Sequence, residues 1–242
     1  MKIIKILKYK KSWRYKIEKE LAQGDNVIFL ANHQIEPDPQ VLCLFLEKNH
    51  PKLAEQLIFV AGHRVITDPL AVPFSLGCNL ICIHSKKHME HPPEAKAAKL
   101  IHNQRAMKKM ASLLGEGSKC IYVAPSGGRD RPDAQGRLQP APFDPQSLEM
   151  FLLMARQAKK NTRFYPLALS TYRLLPPPSS VEKEIGEKRE AASAPVHLHF
   201  NDEVDLIQIV EDISDKKEKR QKRAVLLTDI IQRAYRATTT GD

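Results

Sequence analysis

The stretch NVIFLANHQIEPDPQ (residues 26–40) decides how this chain is read. Its first half, Val27 to Leu30, is a short apolar run of the kind a buried strand shows. Its second half is a polar loop carrying His33 and Asp38, with Pro37 and Pro39 on either side of the aspartate. Pro39 suits the start of a helix, because the first helical position needs no N–H. Asp38 is then the natural N-cap of the apolar segment 41–46. The order is strand, histidine, four residues, aspartate, helix. Residues five apart do not share a helical face, but the two prolines bend the chain and turn Asp38 back toward the His33 imidazole. A carboxylate on one ring nitrogen fixes the tautomer and leaves the other nitrogen free to take a proton. Such a pair can activate a hydroxyl. The same spacing also arises by chance, and an aspartate ahead of a helix is commonly only a cap, so the rest of the chain has to decide.

At 242 residues the chain is long enough to bury a sizeable core, and 42% hydrophobic content is ordinary for a globular protein. A net charge of +10 favours an acidic partner: nucleic acid, anionic lipid, a phosphorylated substrate or an acidic protein. Cys43, Cys78, Cys82 and Cys120 form no disulfide-scaffold pattern, which indicates a reducing compartment. Cys78, Cys82, His84 and His88 could be written as zinc ligands, but the two cysteines flank an apolar run and no second cysteine pair follows, so core thiols are the better reading. The longest uncharged run, 69–85, contains two prolines, a glycine and an asparagine and cannot be a membrane-spanning helix. The first 20 residues are basic, with charges scattered through them, and lack the apolar core of a secretory signal. They read as a basic amphipathic helix lying on a membrane or another domain, or as a helix with a solvated face.

Working outward, the pattern predicts a helix over 3–22, a strand over 26–31, a helix over 39–48 ending before Asn49-His50-Pro51, and strands over 57–62 and 79–84. Pro69 and Pro73 allow only a short helix between those two strands. A long helix starts near Pro93 and stops at Gly115 and Gly117, followed by a strand over 119–124, a helix over 146–159 and a strand over 163–170. VEKEIGEK (181–188) and VHLHF (196–200) read as two further strands, and a charged helix over 215–236 closes the chain. Strands alternating with helices give an α/β class with a mixed, largely parallel central sheet covered by helices. Sites in such sheets form at the carboxyl ends of strands. His33, Lys87, His88 and Arg129 all lie just past predicted strand ends.

The loop APSGGRDRP (124–132) combines glycines, which let backbone approach a ligand, with Arg129 and Arg131, side chains suited to bidentate phosphate recognition. No Lys-Ser/Thr pair follows the glycines, so it is not a nucleotide P-loop, and Ser126 lacks the frame of a nucleophile elbow. Taken alone, the loop reads slightly better as two surface arginines in a Gly-rich turn. SKKHM (85–89) adds Lys87 and His88, which alone mean little.

Together these stretches resemble the soluble, plastid-type glycerol-3-phosphate 1-O-acyltransferases, also found in some bacteria. The resemblance is carried by NHQIEPDP (32–39), FVAGHRVITDPLAVPFSLGCNLICIHSKKHM (59–89), APSGGRDRPD (124–133), PAPFD (140–144), YPLAL (165–169) and PPPSSVEKEIGEKR (176–189), and spans about residues 20–200. It implies the glycerolipid acyltransferase fold, with His33 as catalytic base, Asp38 as its partner, and Lys87, His88, Arg129 and Arg131 around the phosphate of the acceptor. The related acylglycerol-phosphate acyltransferases usually carry Glu-Gly-Thr where this chain has Ser126, Gly127 and Gly128, which favours the soluble branch. The family carries a helical domain ahead of the catalytic one, whereas 32 residues precede His33 here, enough for one helix.

The expectations are accordingly a basic helical segment over 1–22 standing for that domain, a catalytic domain over 23–237 and a disordered tail over 238–242. The implied reaction moves a fatty acyl group from acyl-acyl carrier protein or acyl-CoA to the sn-1 hydroxyl of glycerol 3-phosphate, giving lysophosphatidic acid. It needs no cofactor, no metal and no covalent acyl-enzyme. Its setting would be the plastid stroma or a bacterial cytoplasm, with peripheral contact to a membrane one reading of the basic N-terminus. Two alternatives stand beside it: transfer to 1-acylglycerol 3-phosphate, and a non-catalytic protein that binds an acyl carrier or a membrane surface. Nucleic-acid binding would account for the charge but not for a His-Asp box beside a phosphate loop, and no RNA-type aromatic signature is present.

Overall fold

The computed structural model describes residues 12–85, 89–177 and 190–239. Among them a six-stranded sheet runs in the order β3-β2-β4-β1-β5-β6. Its strands are β1 (Asn26–Ala31), β2 (Ile58–Gly62), β3 (Asn79–Ile83), β4 (Cys120–Val123), β5 (Thr162–Ser170) and β6 (His197–Phe200). The first five are parallel and β6 pairs antiparallel to β5, so the class is the expected mixed, largely parallel one.

Strand β1 is central and every one of its residues is buried. That explains its unbroken apolar run: in a parallel sheet with helices on both faces, both alternating sets of side chains must be apolar. Ile28 and Leu30 enter one core with Met110, Leu114, Phe151, Leu227 and Ile231, supplied by α5 (Lys96–Glu116), α6 (Pro145–Gln157) and α7 (Lys216–Thr239). Val27, Phe29 and Ala31 enter the other with Ile17, Leu42, Leu46 and Leu53, from α1 (Ser12–Ala22), α2 (Asp38–Glu47) and α3 (Pro51–Gln56). The short helix α4 (Val72–Ser75), with Pro73 in its first turn, is the one turn that Pro69 and Pro73 permit.

Helix α1 is bound into the second core. Ile17 is fully buried, Tyr165 donates its hydroxyl to both oxygens of Glu20, and Glu18 meets His50 Nδ1 at 2.5 Å. The described part of this helix begins at Ser12. Two details depart from the sequence expectation, and one lies beyond test. His50-Pro51 does not simply stop a helix; Pro51 opens α3, because a first-turn position has no N–H to lose. Helix α7 reaches Thr239, beyond the predicted end near 236. The strand predicted over 181–188 lies outside the described residues.

At the outer edge of the sheet, α5 holds the end of β3. His102 Nε2 donates to the Cys82 carbonyl at 2.9 Å, while the Asn103 amide accepts from His84 N at 2.8 Å and donates to His84 O at 2.9 Å. The imidazoles of His63, His84 and His102 meet there, His63 stacked on His84 with centroids 4.3 Å apart and His102 edge-on to both.

Candidate active site

Strands β4, β1 and β5 are neighbours, so the loops leaving their carboxyl ends converge. His33 follows β1, the segment 124–131 follows β4, and Thr171 follows β5. Strand β3 is three places from β1, about 14 Å at the usual strand spacing.

His33 Nδ1 lies 2.9 Å from Asp38 Oδ2. Asp38 is fully buried, whereas the His33 side chain is 31% exposed. The same Oδ2 accepts the backbone N–H groups of Gln34 (2.7 Å) and Ile35 (3.2 Å), and Oδ1 accepts the Thr171 hydroxyl at 2.6 Å. An ionised carboxylate only accepts, so Nδ1 carries the proton and Nε2 keeps its lone pair. The expectation that Asp38 caps α2 is corrected here. Asp38 is the first residue of the helix, Pro37 precedes it, and no side-chain cap is made. Its carboxylate faces backward into the loop, where four donors outcompete the single bond that a cap position offers.

Beneath His33 lies a buried polar network that the sequence reading did not single out. Asn32, Gln34 and Asp130 are all fully buried. Asn32 pairs with the backbone of Leu169, Oδ1 accepting at 2.7 Å and Nδ2 donating at 3.0 Å. Gln34 Oε1 accepts from the N–H groups of Thr171 (2.7 Å) and Tyr172 (3.0 Å). These side chains continue the β1–β5 ladder past the point where the backbone pairing ends. Asp130 takes Asn32 Nδ2 at 2.7 Å and Gln34 Nε2 at 3.2 Å on one oxygen, and the Ala141 N–H at 2.8 Å on the other. Burial pushes the Asp130 carboxyl up to about 6, against the opposing effect of its hydrogen bonds and the His33 charge. Alternation was the available signal: residues 32 and 34 share a face that His33 does not.

Of the four residues assigned to phosphate, Arg129 and Arg131 emerge on either side of buried Asp130 and are half-buried themselves. Arg129 pairs with Glu36, which brings the arginine loop onto the His33 loop. Lys87 and His88 lie outside the described residues. Ser126 gives its hydroxyl to the Gly128 carbonyl at 3.0 Å, and Gly127 sits at φ +66°, a conformation that favours glycine. Arg137 pairs instead with Asp133 at 2.9 Å on the exposed part of the loop.

Residues 12–170 match the family model described as Acyltransferase. The chain is 52% identical over 174 residues to "Glycerol-3-phosphate acyltransferase, chloroplastic" of Spinacia oleracea, covering 72% of this chain and 37% of that protein. It is 51% identical over 177 residues to "Glycerol-3-phosphate acyltransferase ATS12, chloroplastic" of Cucurbita moschata, covering 73% and 38%. With "Glycerol-3-phosphate acyltransferase, chloroplastic" of Arabidopsis thaliana it shares 43% over 197 residues, covering 81% and 43%. The matches thus span about two fifths of the length of these curated relatives.

Proposed function

The chain belongs to the acyltransferase family, and from that premise we propose that it transfers a fatty acyl group from a thioester to the sn-1 hydroxyl of glycerol 3-phosphate, releasing lysophosphatidic acid. The observation that carries this reading is the His33–Asp38 pair at 2.9 Å, sealed on the aspartate side and open on the imidazole side. His33 Nε2 takes the hydroxyl proton as the oxygen attacks the thioester carbonyl; the tetrahedral intermediate collapses, and the departing thiolate recovers the proton from the imidazolium. Asp38 holds the tautomer throughout. Arg129 and Arg131, with Lys87 and His88, hold the acceptor phosphate.

Direct transfer is favoured over a covalent acyl-enzyme. Burial pushes the Cys43 thiol up to about 11 and raises Cys78, Cys82 and Cys120 as well, which keeps these sulfurs protonated. The Ser126 hydroxyl is engaged with its own loop. The donor is acyl-acyl carrier protein or acyl-CoA. Residues 23–237 carry the chemistry, with α1 buttressing the sheet. The relatives' names favour a plastid compartment. No helix among the described residues is long and apolar enough to cross a membrane.

Labelled glycerol 3-phosphate and 1-acylglycerol 3-phosphate, offered at equal concentration with one acyl thioester, test the reading. Lysophosphatidic acid should accumulate with little phosphatidic acid. His33→Ala should lower kcat by roughly 10²- to 10⁴-fold with little effect on acceptor binding. Predominant phosphatidic acid would instead assign the second acylation step. Normal turnover by folded His33→Ala would remove the base.

A further inference from the structure

Asp130 sits between the two arginines of the phosphate loop, yet it is fully buried and points the other way. Apart from the Ala141 N–H on Oδ1, its contacts converge on one residue. The backbone N–H of Asp130 donates to the His33 carbonyl at 2.6 Å. Its carboxylate grips the side chains on either side of His33, those of Asn32 and Gln34. The neighbours of the base are therefore clamped from below, while the imidazole is left free to face the substrate.

Resting on the reading above, we infer that Asp130 is a positioning residue for acyl transfer: it locks the loop that carries His33, and its negative charge stabilises the imidazolium that His33 becomes during the reaction. Two independent features support this. The grip accounts for a buried carboxylate whose desolvation only charged-acceptor hydrogen bonds can offset. The charge matters because a buried site screens poorly, so a carboxylate that does not touch the ring still acts on it. Asp130 moves no proton in the reaction; it only favours the charge that appears when Nε2 accepts one.

Among the described residues, few ionisable groups face Asp130. They are His33 beyond β1, Tyr122 on β4, Tyr235 on α7, and Arg129 and Arg131 beside it in the loop. Both tyrosines are raised, by burial first and then by charges that include Asp130, so neither ionises in the working range. Asp38 is the second buried carboxylate near Tyr122. With its carboxyl near 6, Asp130 is charged above that pH and neutral below it. Falling pH should then remove activity twice, once as the base is protonated and once as Asp130 loses its charge.

Glycerol 3-phosphate also takes up a proton at about pH 6, so the acid limb of the kcat/KM profile is read as a difference, the parent falling more steeply between pH 8 and 5 than a variant without the Asp130 charge. Asp130→Asn keeps the shape, removes the charge and turns one acceptor into a donor; it should lower kcat on the order of 10-fold at pH 7.5 and make the limb shallower than the parent's. A folded Asp130→Asn enzyme with the parent kcat and slope would overturn the inference. If that variant does not fold, Asp130→Glu, which keeps the charge but displaces it from Asn32 and Gln34, takes its place, and the parent kcat in folded Asp130→Glu overturns the inference. Loss of activity in His33→Ala combined with an indifferent Asp130→Asn would sink this inference and leave the acyl-transfer reading intact.

Discussion

The Thr171 hydroxyl donates to Asp38 Oδ1 at 2.6 Å across 133 positions of sequence, so the end of β5 completes the solvation of the aspartate that orients the base. Thr171→Val keeps the shape and removes the donor. A buried acceptor left without a partner costs about 1–3 kcal/mol. The expected result is a lower Tm together with a drop in kcat on the order of 10-fold, as Asp38 rotates to find another donor. Thr171→Ser should restore both. Thermal unfolding and initial rates on the same samples separate the effects: a lower Tm with intact kcat would make Thr171 a stability residue only.

Arg129 and Arg131 should each contribute a charge-assisted bond to the acceptor phosphate. Replacing either by Ala should raise KM for glycerol 3-phosphate by roughly 10- to 100-fold. Arg137, paired with Asp133 on the exposed turn, is the internal control and should change KM little. Glycerol itself should be a very poor acceptor for the parent enzyme. Equal effects at Arg131 and Arg137 would remove the loop from phosphate binding.

Helix α5 carries Lys96, Lys99, Arg105, Lys108 and Lys109 and no acidic residue before Glu116. An acidic carrier docking against that helix would be held partly by charges screened over about 8–10 Å near physiological salt. KM for acyl-carrier substrate should then rise with salt more steeply than KM for acyl-CoA, and Lys108→Glu with Lys109→Glu should reduce the difference. Identical salt slopes for the two donors would leave α5 an ordinary solvated helix. The lysines at 2, 5, 8, 10 and 11 lie outside the described residues and are tested by the same comparison.

The histidine stack makes stability depend on pH. Burial, with the neighbouring imidazoles and Lys99, holds His63 and His84 below the usual imidazole range. The unfolded chain therefore binds protons more readily than the folded one as pH falls through about 6.5. The stability contribution is complete above that value, is lost on the way down to the folded-state values, and does not return below them. Tm measured from pH 8 to pH 5 should fall, and His63→Phe, which keeps a ring in the stack but cannot titrate, should fall less. Parallel curves would place the acid sensitivity elsewhere.

The parts of the fold legible in the sequence were those governed by local pattern. Strand β1 announced itself because a doubly covered strand has to be apolar at every position. The His33–Asp38 pairing was legible because two prolines restrict so short a loop. What escaped was set by distance or by two competing local rules. Pro51 is equally consistent with ending one helix and beginning another, and only the packing of Leu53 into the core selects the second. Asp38 obeyed a rule about caps until Thr171, far along the chain, supplied a better use for its oxygen. The Asn32–Gln34–Asp130 network spans about a hundred residues, and its members are common loop residues until β4 and β5 arrive beside β1.

The clamp that α5 places on β3 has a consequence for the behaviour of the protein in a crowded solution. An edge strand offers unpaired N–H and C=O groups to any passing extended chain, and such edges seed intermolecular pairing. At the carboxyl end of β3 those groups are already occupied: Cys82 O by His102, and His84 N and O by Asn103. Among the described residues β3 ends the sheet, and side chains of a helix there occupy the groups a neighbouring strand would take and deny that end of the edge to other molecules. Asn103→Ala would reopen it, and concentration-dependent aggregation under conditions that leave the monomer folded is the symptom to expect.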